Sequence, residues 1–451
     1  MKMTYGINDK VPIAKAIPLA MQHVFVIFTG TIVGSTLLAQ GAGLGVNETA
    51  LIIQCGMLAC CLASMIQSFG IKIGNFQIGS KLPIITAGSY TLITPMVMFA
   101  NDPDIGLGGS FGAAIVGSLV LFLAGPVLIK YLHRYFTPVV TGTVVLTVGL
   151  SLVTTAVQKM VAYNPEGPDV WKFFAIAGFC GILALLIDMF AKGFLQSLSL
   201  LISIVIGYIL CVALGVVDFS SMREAAWVAV PKPLNWGISF NIGAIITVCF
   251  VHIATLMENI GDTTSIVSNA EDRIPTRNEL MQTIRGDAFG SVIAGFLNGL
   301  PVCSATQNAG VLAMSGCASR WVTGLGAIIF GVFAFFPKIS QILALIPDPV
   351  LGGVLMVAFG SIMASGIRVI GMGRMTKRSM TIVGVALAVG IGGQYAQDYL
   401  VFLPTTILTI FTGISGSAII ALVLNIILPK TDEDREYDKE FQKSIGMEVD
   451  K

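Results

Sequence analysis

Charged residues are scarce in this 451-residue chain. Asp, Glu, Lys and Arg together make up 11% of it, whereas 55% is hydrophobic and the mean hydropathy is +0.85. A soluble domain carries about 25% charged residues, so this chain cannot cover the water-facing surface that a soluble protein of its size needs. The scarcity of charge excludes a soluble globular protein and predicts that the lipid bilayer is its main solvent.

Other absences narrow the function. The formal net charge is +1, which leaves no basic surface for nucleic acid. The eight cysteines form no CxxC pair, so metal and disulfide roles are disfavoured and we expect no cofactor. The sequence also lacks the pattern of a nucleophile beside a base that an intramembrane enzyme would need. We therefore expect neither a nucleic-acid partner nor an enzyme.

Apolar segments fill most of the chain. Residues 1–16 are polar and no cleavage site follows them, so the first apolar run is expected to remain as a span. One spanning helix needs about 20 apolar residues. Hydropathy gives fourteen candidates, which predicts an all-α polytopic membrane protein. The candidates are 17–39, 48–69, 83–100, 111–130, 137–158, 171–191, 195–216, 239–260, 287–299, 302–317, 321–337, 346–366, 380–397 and 401–428.

Lys and Arg are distributed unevenly among the connections. With the N-terminus in the cytoplasm, 21 of the 26 fall on the cytoplasmic side, as the positive-inside rule requires. Removing one span would destroy this sorting, which favours fourteen spans with both termini, including the tail 429–451, in the cytoplasm. The residues assigned to the external side are Lys159, Lys172, Arg223, Lys232 and Lys338.

The two halves of the chain share a spaced pattern of Pro and Gly. Seven spans per half is an odd number, so the second half, 239–428, must be inverted relative to the first, 17–216, with 217–238 as an external connection. Inverted repeats are typical of secondary transporters, whose site lies at the midplane. The pairs Pro126/Pro337, Pro138/Pro349, Gly142/Gly353 and Gly149/Gly360 are offset by 211, and Leu82–Pro83 and Leu300–Pro301 by 218.

At least one crossing near the middle of the second half is too short for a full helix. Arg285 and Arg320 are both assigned to the cytoplasm, but the 34 residues between them must cross the membrane twice. Two full helices would need about 40 residues. We expect short strands after Pro83 and after Pro301, each followed by a half-helix whose N-terminus faces the midplane. Free N–H groups there favour a ligand rich in acceptors.

Ionisable residues within spans are costly and are by default functional candidates. Glu258 and Asp262 lie one turn apart, and therefore on one face of the eighth span. Asp287 opens the ninth span and His23 lies early in the first. We interpret Glu258 as a binding residue. The two aspartates could equally hold a helix end or a loop, and the histidine could equally be packed in a core.

Amide side chains complete the candidate site. Gln307 and Asn308 each offer one acceptor and two donors. A purine dione presents alternating N–H and C=O groups around a flat ring. A carboxylate accepts from the ring N–H groups, while an amide answers a neighbouring N–H/C=O pair. Glu258 and Gln307 together therefore match an imide-bearing base, and Tyr90 could stack on its face.

The run 307–316 resembles the motif of the nucleobase–ascorbate transporter family, also called nucleobase:cation symporter-2. That motif reads Gln/Glu-Asn-x-Gly, four variable residues, then Thr/Ser and Arg/Lys/Gly. Uracil carriers tend to have Glu at its first position and purine carriers Gln. With Gln307 at that position, this chain resembles the bacterial xanthine/urate permease branch. The resemblance covers nearly the whole chain and includes Gln22–His23, Gly88–Tyr90, Glu258–Asp262 and Gly286–Asp287.

The resemblance implies an architecture. Family members have fourteen spans in two inverted repeats of seven, with short antiparallel strands in spans 3 and 10 and the substrate between them. A core domain is expected from spans 1–4 and 8–11, and a gate domain from spans 5–7 and 12–14. The resemblance also implies a homodimer in the bacterial cytoplasmic (inner) membrane.

The resemblance assigns roles to residues as well. It implies substrate binding by Glu258, Gln307, Ser89, Tyr90, Asn308 and Gly310. It implies ion coupling at Asp262, Asp287 and His23. The remaining motif positions, expected to act in specificity, are Ala309, Ser315 and Gly316. Many members carry Phe at the position of Tyr90, and some xanthine carriers carry Asn at that of Ser89, which leaves the preferred purine open.

The resulting hypothesis is a symporter that imports xanthine, urate or both by alternating access, with protons as the expected coupling ion and sodium as the other option. A pyrimidine (uracil) permease of the same fold is the first alternative, which Gln307 disfavours. An anion transporter of the related fold is the second. It would require a basic residue near the midplane, and the sequence offers none.

Overall fold

The computed structural model describes residues 3–74, 76–132, 135–162, 164–192, 194–223, 225–305 and 307–436. These residues are mostly helical. The helices are α1 (Ile13–Gly41), α2 (Val46–Phe69), α3 (Ile93–Asn101), α4 (Gly106–Leu132), α5 (Pro138–Met160), α6 (Val170–Phe190), α7 (Phe194–Ser197), α8 (Ser199–Ala213), α9 (Ile242–Glu271), α10 (Arg277–Phe296), α11 (Gln307–Ser315), α12 (Arg320–Phe333), α13 (Pro337–Ala344), α14 (Asp348–Gly371), α15 (Lys377–Tyr395), α16 (Thr405–Phe411) and α17 (Gly413–Ile427). The strands are β1 (Ile71–Ile73), β2 (Phe76–Ile78), β3 (Thr86–Gly88) and β4 (Val302–Ser304).

Seven helices of the described residues, α1, α2, α4, α5, α6, α9 and α14, are long and apolar enough to cross a membrane. An eighth is added if α12 and α13, bent by 86°, form one broken span. Helices α8 and α17 are apolar but shorter. The chain is therefore a helical membrane protein. The count of fourteen spans stays a prediction, because the other predicted segments contain short or more polar helices.

Helix α10 corrects the predicted start of the ninth span. Asp287 was expected to open that span, but the helix begins at Arg277. The side chain of Thr276 accepts from the backbone of Glu279, and the carboxylate of Glu279 accepts from the backbone of Thr276. This capping box stabilises a polar first turn that hydropathy does not detect. Asp287 therefore lies in the middle of a helix and is buried.

Strands β3 and β4 lie after Pro83 and after Pro301, where the sequence places them. They pair antiparallel, and Ala87 is opposite Cys303 in the register. A short 3₁₀ turn and α3 follow β3, and α11 follows β4. The free N–H groups of α11 therefore begin directly beside the paired strands. A second hairpin, β1–β2, lies between α2 and β3.

Helices α5 and α14, which carry the matching Pro and Gly residues of the two halves, cross each other closely. A Cβ atom at Gly142 would lie 2.6 Å from the backbone N of Ile370. A Cβ atom at Gly352 would lie 2.5 Å from the backbone N of Met160. The start of each helix therefore meets the end of the other, so the two run antiparallel. Strands β3 and β4 are also antiparallel, and an inverted repeat requires both relations.

The helices pack in two groups. The first group contains α1, α2, α3, α4, α9, α10, α11 and α12 with strands β3 and β4, and the second contains α5, α6, α8, α14, α15 and α17. The groups meet at several points, one of which is an edge-to-face contact between Tyr90 and Phe359 with ring centroids 6.0 Å apart. The turn at Tyr90, which directly follows β3, thus lies at the side of the first group that faces the second.

Lys159 corrects one assignment of the charge sorting, which placed it in an external connection. It lies at the end of α5, and its side chain is 0% exposed. Its ammonium donates to Asp348 at the start of α14, at 2.6 Å, and to Gln40 at the end of α1. Burial of the ammonium is tolerated because a carboxylate and an amide oxygen both accept from it.

Candidate functional site

Glu258 lies on α9 beside the 3₁₀ turn that follows β3. It is half-buried, and its Oε2 accepts a hydrogen bond from the hydroxyl of Thr91 at 2.8 Å. Gly261, one turn further along α9, is exposed, and a Cβ atom there would meet nothing within 4 Å. The carboxylate therefore lies at the edge of open space rather than within close packing.

Gln307 and Gly310 line open space at the start of α11. Both are exposed, and a Cβ atom at Gly310 would also meet nothing within 4 Å. Helix α11 packs against α9, so these residues and Glu258 belong to neighbouring elements. A carboxylate and an amide that face open space beside a helix N-terminus can bind a ligand carrying both donors and acceptors.

Asp262 and Cys303 lie close to Glu258. The three offer ligand atoms, two carboxylate oxygens and the Cys303 sulfur, that lie within 4.8 Å of one another. Asp262 and Cys303 are buried. This cluster is the group of His, Cys, Asp and Glu side chains in the described part of the chain that is compact enough for a metal ion. It also places the two carboxylates near enough to influence each other's charge.

Asp287 fastens β4 to three helices. Its Oδ1 accepts from Gln67 of α2 at 2.6 Å. Its Oδ2 accepts from Asn259 of α9 and from both the backbone N–H and the hydroxyl of Ser304, the latter two at 2.7 and 2.8 Å. The carboxylate thus accepts four hydrogen bonds at a buried position, and it fixes where the strand lies relative to α2, α9 and α10.

His23 and Asn308 contact each other. The Nδ1 atom of His23 lies 2.8 Å from Oδ1 of Asn308, and the amide nitrogen of Asn308 donates to the carbonyl of Pro83 at 2.6 Å. Both residues are buried. Together they join α1, the start of α11 and the segment before β3. The amide of Asn308 therefore holds the site's backbone in place, on the opposite side of α11 from the open space at Gly310.

Ser89 and Tyr90 follow β3 directly. The backbone N–H of Ser89 donates to the carbonyl of Pro301 at 2.7 Å, which extends the strand pairing. Its hydroxyl is buried and makes no hydrogen bond with any residue that the structure describes. Tyr90 is half-buried and contacts Phe359 through its ring. The Tyr90 ring therefore faces the second helix group.

The last motif positions lie away from Glu258. Ala309 is buried in a small apolar cluster, and Ser315 forms the end of α11. The carbonyl of Gly316 accepts from the backbone N–H of Thr4 at 2.7 Å. The backbone N–H of Ala318 donates to the carbonyl of Tyr5 at 2.9 Å. These residues fasten the segment at the start of the chain against the end of α11.

Sequence reasoning missed several residues that hold the site together. They are Thr91, the donor to Glu258, and the three donors to Asp287. Their pairings cross from one element to another over 167 residues for Thr91 and 220 for Gln67. A hydroxyl or amide in an apolar segment was the available signal, and many residues of the chain share it. The donors to Asp287 are Gln67, Asn259 and Ser304.

Comparison with known proteins relates the chain to one family. Residues 14–399 match the sequence model of a family described as a permease family. The uric acid transporter UacT of Escherichia coli is 31% identical over 96% of this chain and 90% of its own length. The xanthine permease XanP of Escherichia coli is 30% identical over 95% of each chain. The family and these relatives are permeases rather than enzymes.

A solved structure supports the fold. The murine anion transporter Slc26a9, in its inward-facing state, superposes with a TM-score of 0.64 over 93% of this chain and 69% of that chain, at 10% identity. At this identity the likeness shows the fold alone, which is the inverted-repeat transporter fold. The match over most of the chain and the two relatives confirm the resemblance drawn from the motif at 307–316. This chain belongs to the permease family that the model describes, the nucleobase–ascorbate transporter family.

Proposed function

We propose that this chain is a proton-coupled symporter that imports purine bases, most specifically xanthine and urate, by alternating access. The observation that carries the proposal is the position of Glu258. Its carboxylate lies at the edge of open space, one turn from the exposed Gly261, on a helix that packs against α11. A binding carboxylate beside a short helix such as α11, whose N-terminus offers free N–H groups, is what a transporter of polar solutes needs.

The donors and acceptors at this position suit an oxidised purine. Glu258 accepts from ring N–H groups, and the exposed amide of Gln307 both donates and accepts. The N–H groups at the start of α11 attract carbonyl oxygens or a negative charge on the ring. Urate and xanthine present both groups. The names of UacT and XanP describe the same two substrates for those relatives.

The division of the helices into two groups supports the alternating-access part of the proposal. We assign the first group to a core domain and the second to a gate domain, and the core would carry Glu258 past the gate. The contact between Tyr90 and Phe359 lies between the groups, so it would change as they move. We assign the chain to a bacterial inner membrane with both termini in the cytoplasm, the orientation that the Lys and Arg distribution favours. A homodimer through the gate domain belongs to the same proposal.

Coupling is assigned to the residues around Glu258. Asp262 lies within 4.8 Å of it, so a proton on either carboxylate removes repulsion between two negative charges. Asp287 and His23 are further candidates, because their hydrogen bonds hold β4 and α11 in place. A proton that disturbs either contact would shift the balance between open states.

The two alternative functions, a pyrimidine permease and an anion transporter, require different residues beside the ligand. A pyrimidine permease would use the same geometry, and Gln307 in place of Glu disfavours it. An anion transporter, the activity named for Slc26a9, would place a basic residue beside the ligand. Lys159, the buried lysine, lies instead at the far end of α5 with Asp348 and Gln40.

Uptake of radiolabelled xanthine into cells that express the chain tests the proposal. Unlabelled urate, uracil, guanine and hypoxanthine serve as competitors, and an uncoupler removes the proton gradient. Saturable uptake that urate blocks and uracil does not, and that the uncoupler abolishes, supports the proposal. Uptake blocked by uracil alone contradicts the purine assignment, and accumulation that needs sodium and resists the uncoupler contradicts proton coupling.

A further inference from the structure

A polar cavity lies behind Thr91, on the side of Glu258 away from the open space at Gly261. Val251 of α9 contributes to its wall, and Glu258 lies two turns further along the same helix, about 10 Å away. Gly261 lies one turn beyond Glu258 in the same direction. The carboxylate is therefore placed between a cavity on one side and open space on the other.

The wall of the cavity comes from both helix groups and is rich in hydroxyl and amide groups. No charged side chain is among the described residues that line it. The turn and α3 contribute from the first group, and α5, α15 and α17, with the segments next to them, contribute from the second. The polar wall residues used below are Thr91, Thr94, Ser151, Gln394 and Gln397.

Two buried polar atoms at this wall find no partner among the described residues. They are the hydroxyl of Ser151, which is 3% exposed, and Oε1 of Gln394. The amide nitrogen of Gln394 donates to the backbone carbonyl of Ser151 at 3.0 Å, which holds the Gln394 side chain beside Ser151. A buried polar group without a hydrogen bond is costly, so these atoms indicate a ligand with hydrogen-bonding capacity.

The size of the cavity selects water as that ligand. Its volume is about 20 Å³, whereas one water needs roughly 10–15 Å³ and two to four polar partners. A purine base does not fit. Gln397 at the wall precedes Asp398 and Tyr399, whose side chains are exposed, so the cavity lies next to the surface of the molecule.

We propose that this cavity binds water and conducts protons between the external face and the pair Glu258–Asp262 while the path for substrate on that side is closed. The proposal rests on the proton coupling of the proposed function. Thr91 makes the connection, because it lines the cavity and donates to Glu258 at 2.8 Å. A proton that enters from the external face as a hydronium ion in the cavity passes to the Thr91 hydroxyl and leaves neutral water behind, while that hydroxyl's own proton passes to Oε2. Thr91 regains its hydroxyl and the carboxylate becomes neutral.

The acidic and thiol groups around Glu258 define where the proton can rest. Asp262 and Cys303 have atoms within 4.8 Å of it or of each other, and Asp287 lies on the neighbouring helix α10 with four donors. Asp262 is therefore the nearest second carboxylate for a proton that arrives through Thr91. The cavity itself offers no titratable side chain among the described wall residues, so it acts as a conductor rather than a store.

Reconstituted full-length protein tests the proposal with two assays. The first is exchange of labelled for unlabelled xanthine at equal pH on both sides, which needs no net proton movement. The second is accumulation driven by an imposed pH gradient. The variant is Ser151→Val, which removes the hydroxyl and fills the cavity. The matched control is Thr154→Val, on the same helix but outside the cavity wall.

We expect Ser151→Val to exchange xanthine like the wild type but to accumulate it about tenfold more slowly, since tenfold corresponds to about 1.4 kcal/mol, the scale of one hydrogen bond. Thr154→Val should match the wild type in both assays. If Ser151→Val fails to fold, Ser151→Ala and Thr94→Val replace it. Unchanged accumulation by the variants overturns the proposal while the proposed function stands. Wild-type protein that exchanges xanthine without proton-driven accumulation, or transports none, overturns both.

Discussion

Glu258 and Asp287 are carboxylates on neighbouring helices of one group, yet their surroundings differ. Asp287 is 3% exposed and accepts four hydrogen bonds from three residues. Glu258 is half-buried beside open space and accepts from the hydroxyl of Thr91. Sequence position alone marks both as costly residues within a membrane. The difference teaches that burial together with the number of donors around a carboxylate, rather than its position within a span, separates a residue that holds structure from one that can meet a ligand.

The largest effect is expected from Asp287→Ala. The change leaves the buried donors of Gln67, Asn259 and Ser304 without their acceptor. Removing one partner from a buried charged network costs about 3–5 kcal/mol. We expect less protein in the membrane and a lower apparent unfolding temperature in detergent. Glu258→Ala is the control and should unfold near the wild-type temperature. Equal unfolding temperatures for both variants would show that Asp287 does not stabilise the fold more than Glu258 does.

Glu258→Gln should impair transport without lowering the stability of the protein. The amide keeps the size of the side chain but loses the negative charge that accepts from ring N–H groups. A hydrogen bond to a charged group contributes about 1.5–3 kcal/mol, so xanthine uptake should fall between roughly tenfold and a hundredfold. The protein level and the unfolding temperature should stay at wild-type values. Normal uptake by this variant would show that Glu258 does not contact the substrate.

Gln307→Glu extends the comparison to the exposed amide at the start of α11. The change places a second carboxylate on α11, which packs against the helix of Glu258, and removes the amide donor proposed to bind a purine carbonyl. One lost neutral hydrogen bond is about 1 kcal/mol, so the apparent KM for xanthine should rise roughly fivefold to tenfold. Competition by uracil should become stronger. An unchanged KM would mean that Gln307 lies outside the reach of the ring.

Much of the architecture could be predicted from local patterns. The strands follow from two prolines and from a segment too short for two helices, between Arg285 and Arg320. The shared face of Glu258 and Asp262 follows from helical spacing, and α9 contains both. The antiparallel crossing of α5 and α14 agrees with the inversion inferred from the Pro and Gly offset. These features depend on spacing along the chain, which the sequence contains directly.

The interactions that fix the site could not be predicted in the same way. Thr91 is one of several threonines near it, and nothing in the sequence distinguishes it from Thr94. Hydropathy treats every lysine alike and therefore predicts a loop at Lys159. Its burial is tolerated because Asp348, 189 residues away, accepts a hydrogen bond from its ammonium. The start of α10 was misplaced because a capping box, rather than hydrophobicity, determines where that helix begins.

The glycine-packed crossing of α5 and α14 has a practical consequence for measuring motion. The two backbones are so close at Gly142 and Gly352 that neither helix can slide past the other without a steric clash. Spin labels on the outer faces of these two helices would keep one separation throughout the transport cycle. That separation can serve as an internal ruler. Distances from α9 to α14 can then be read against it, so that a change reports displacement of one helix group relative to the other.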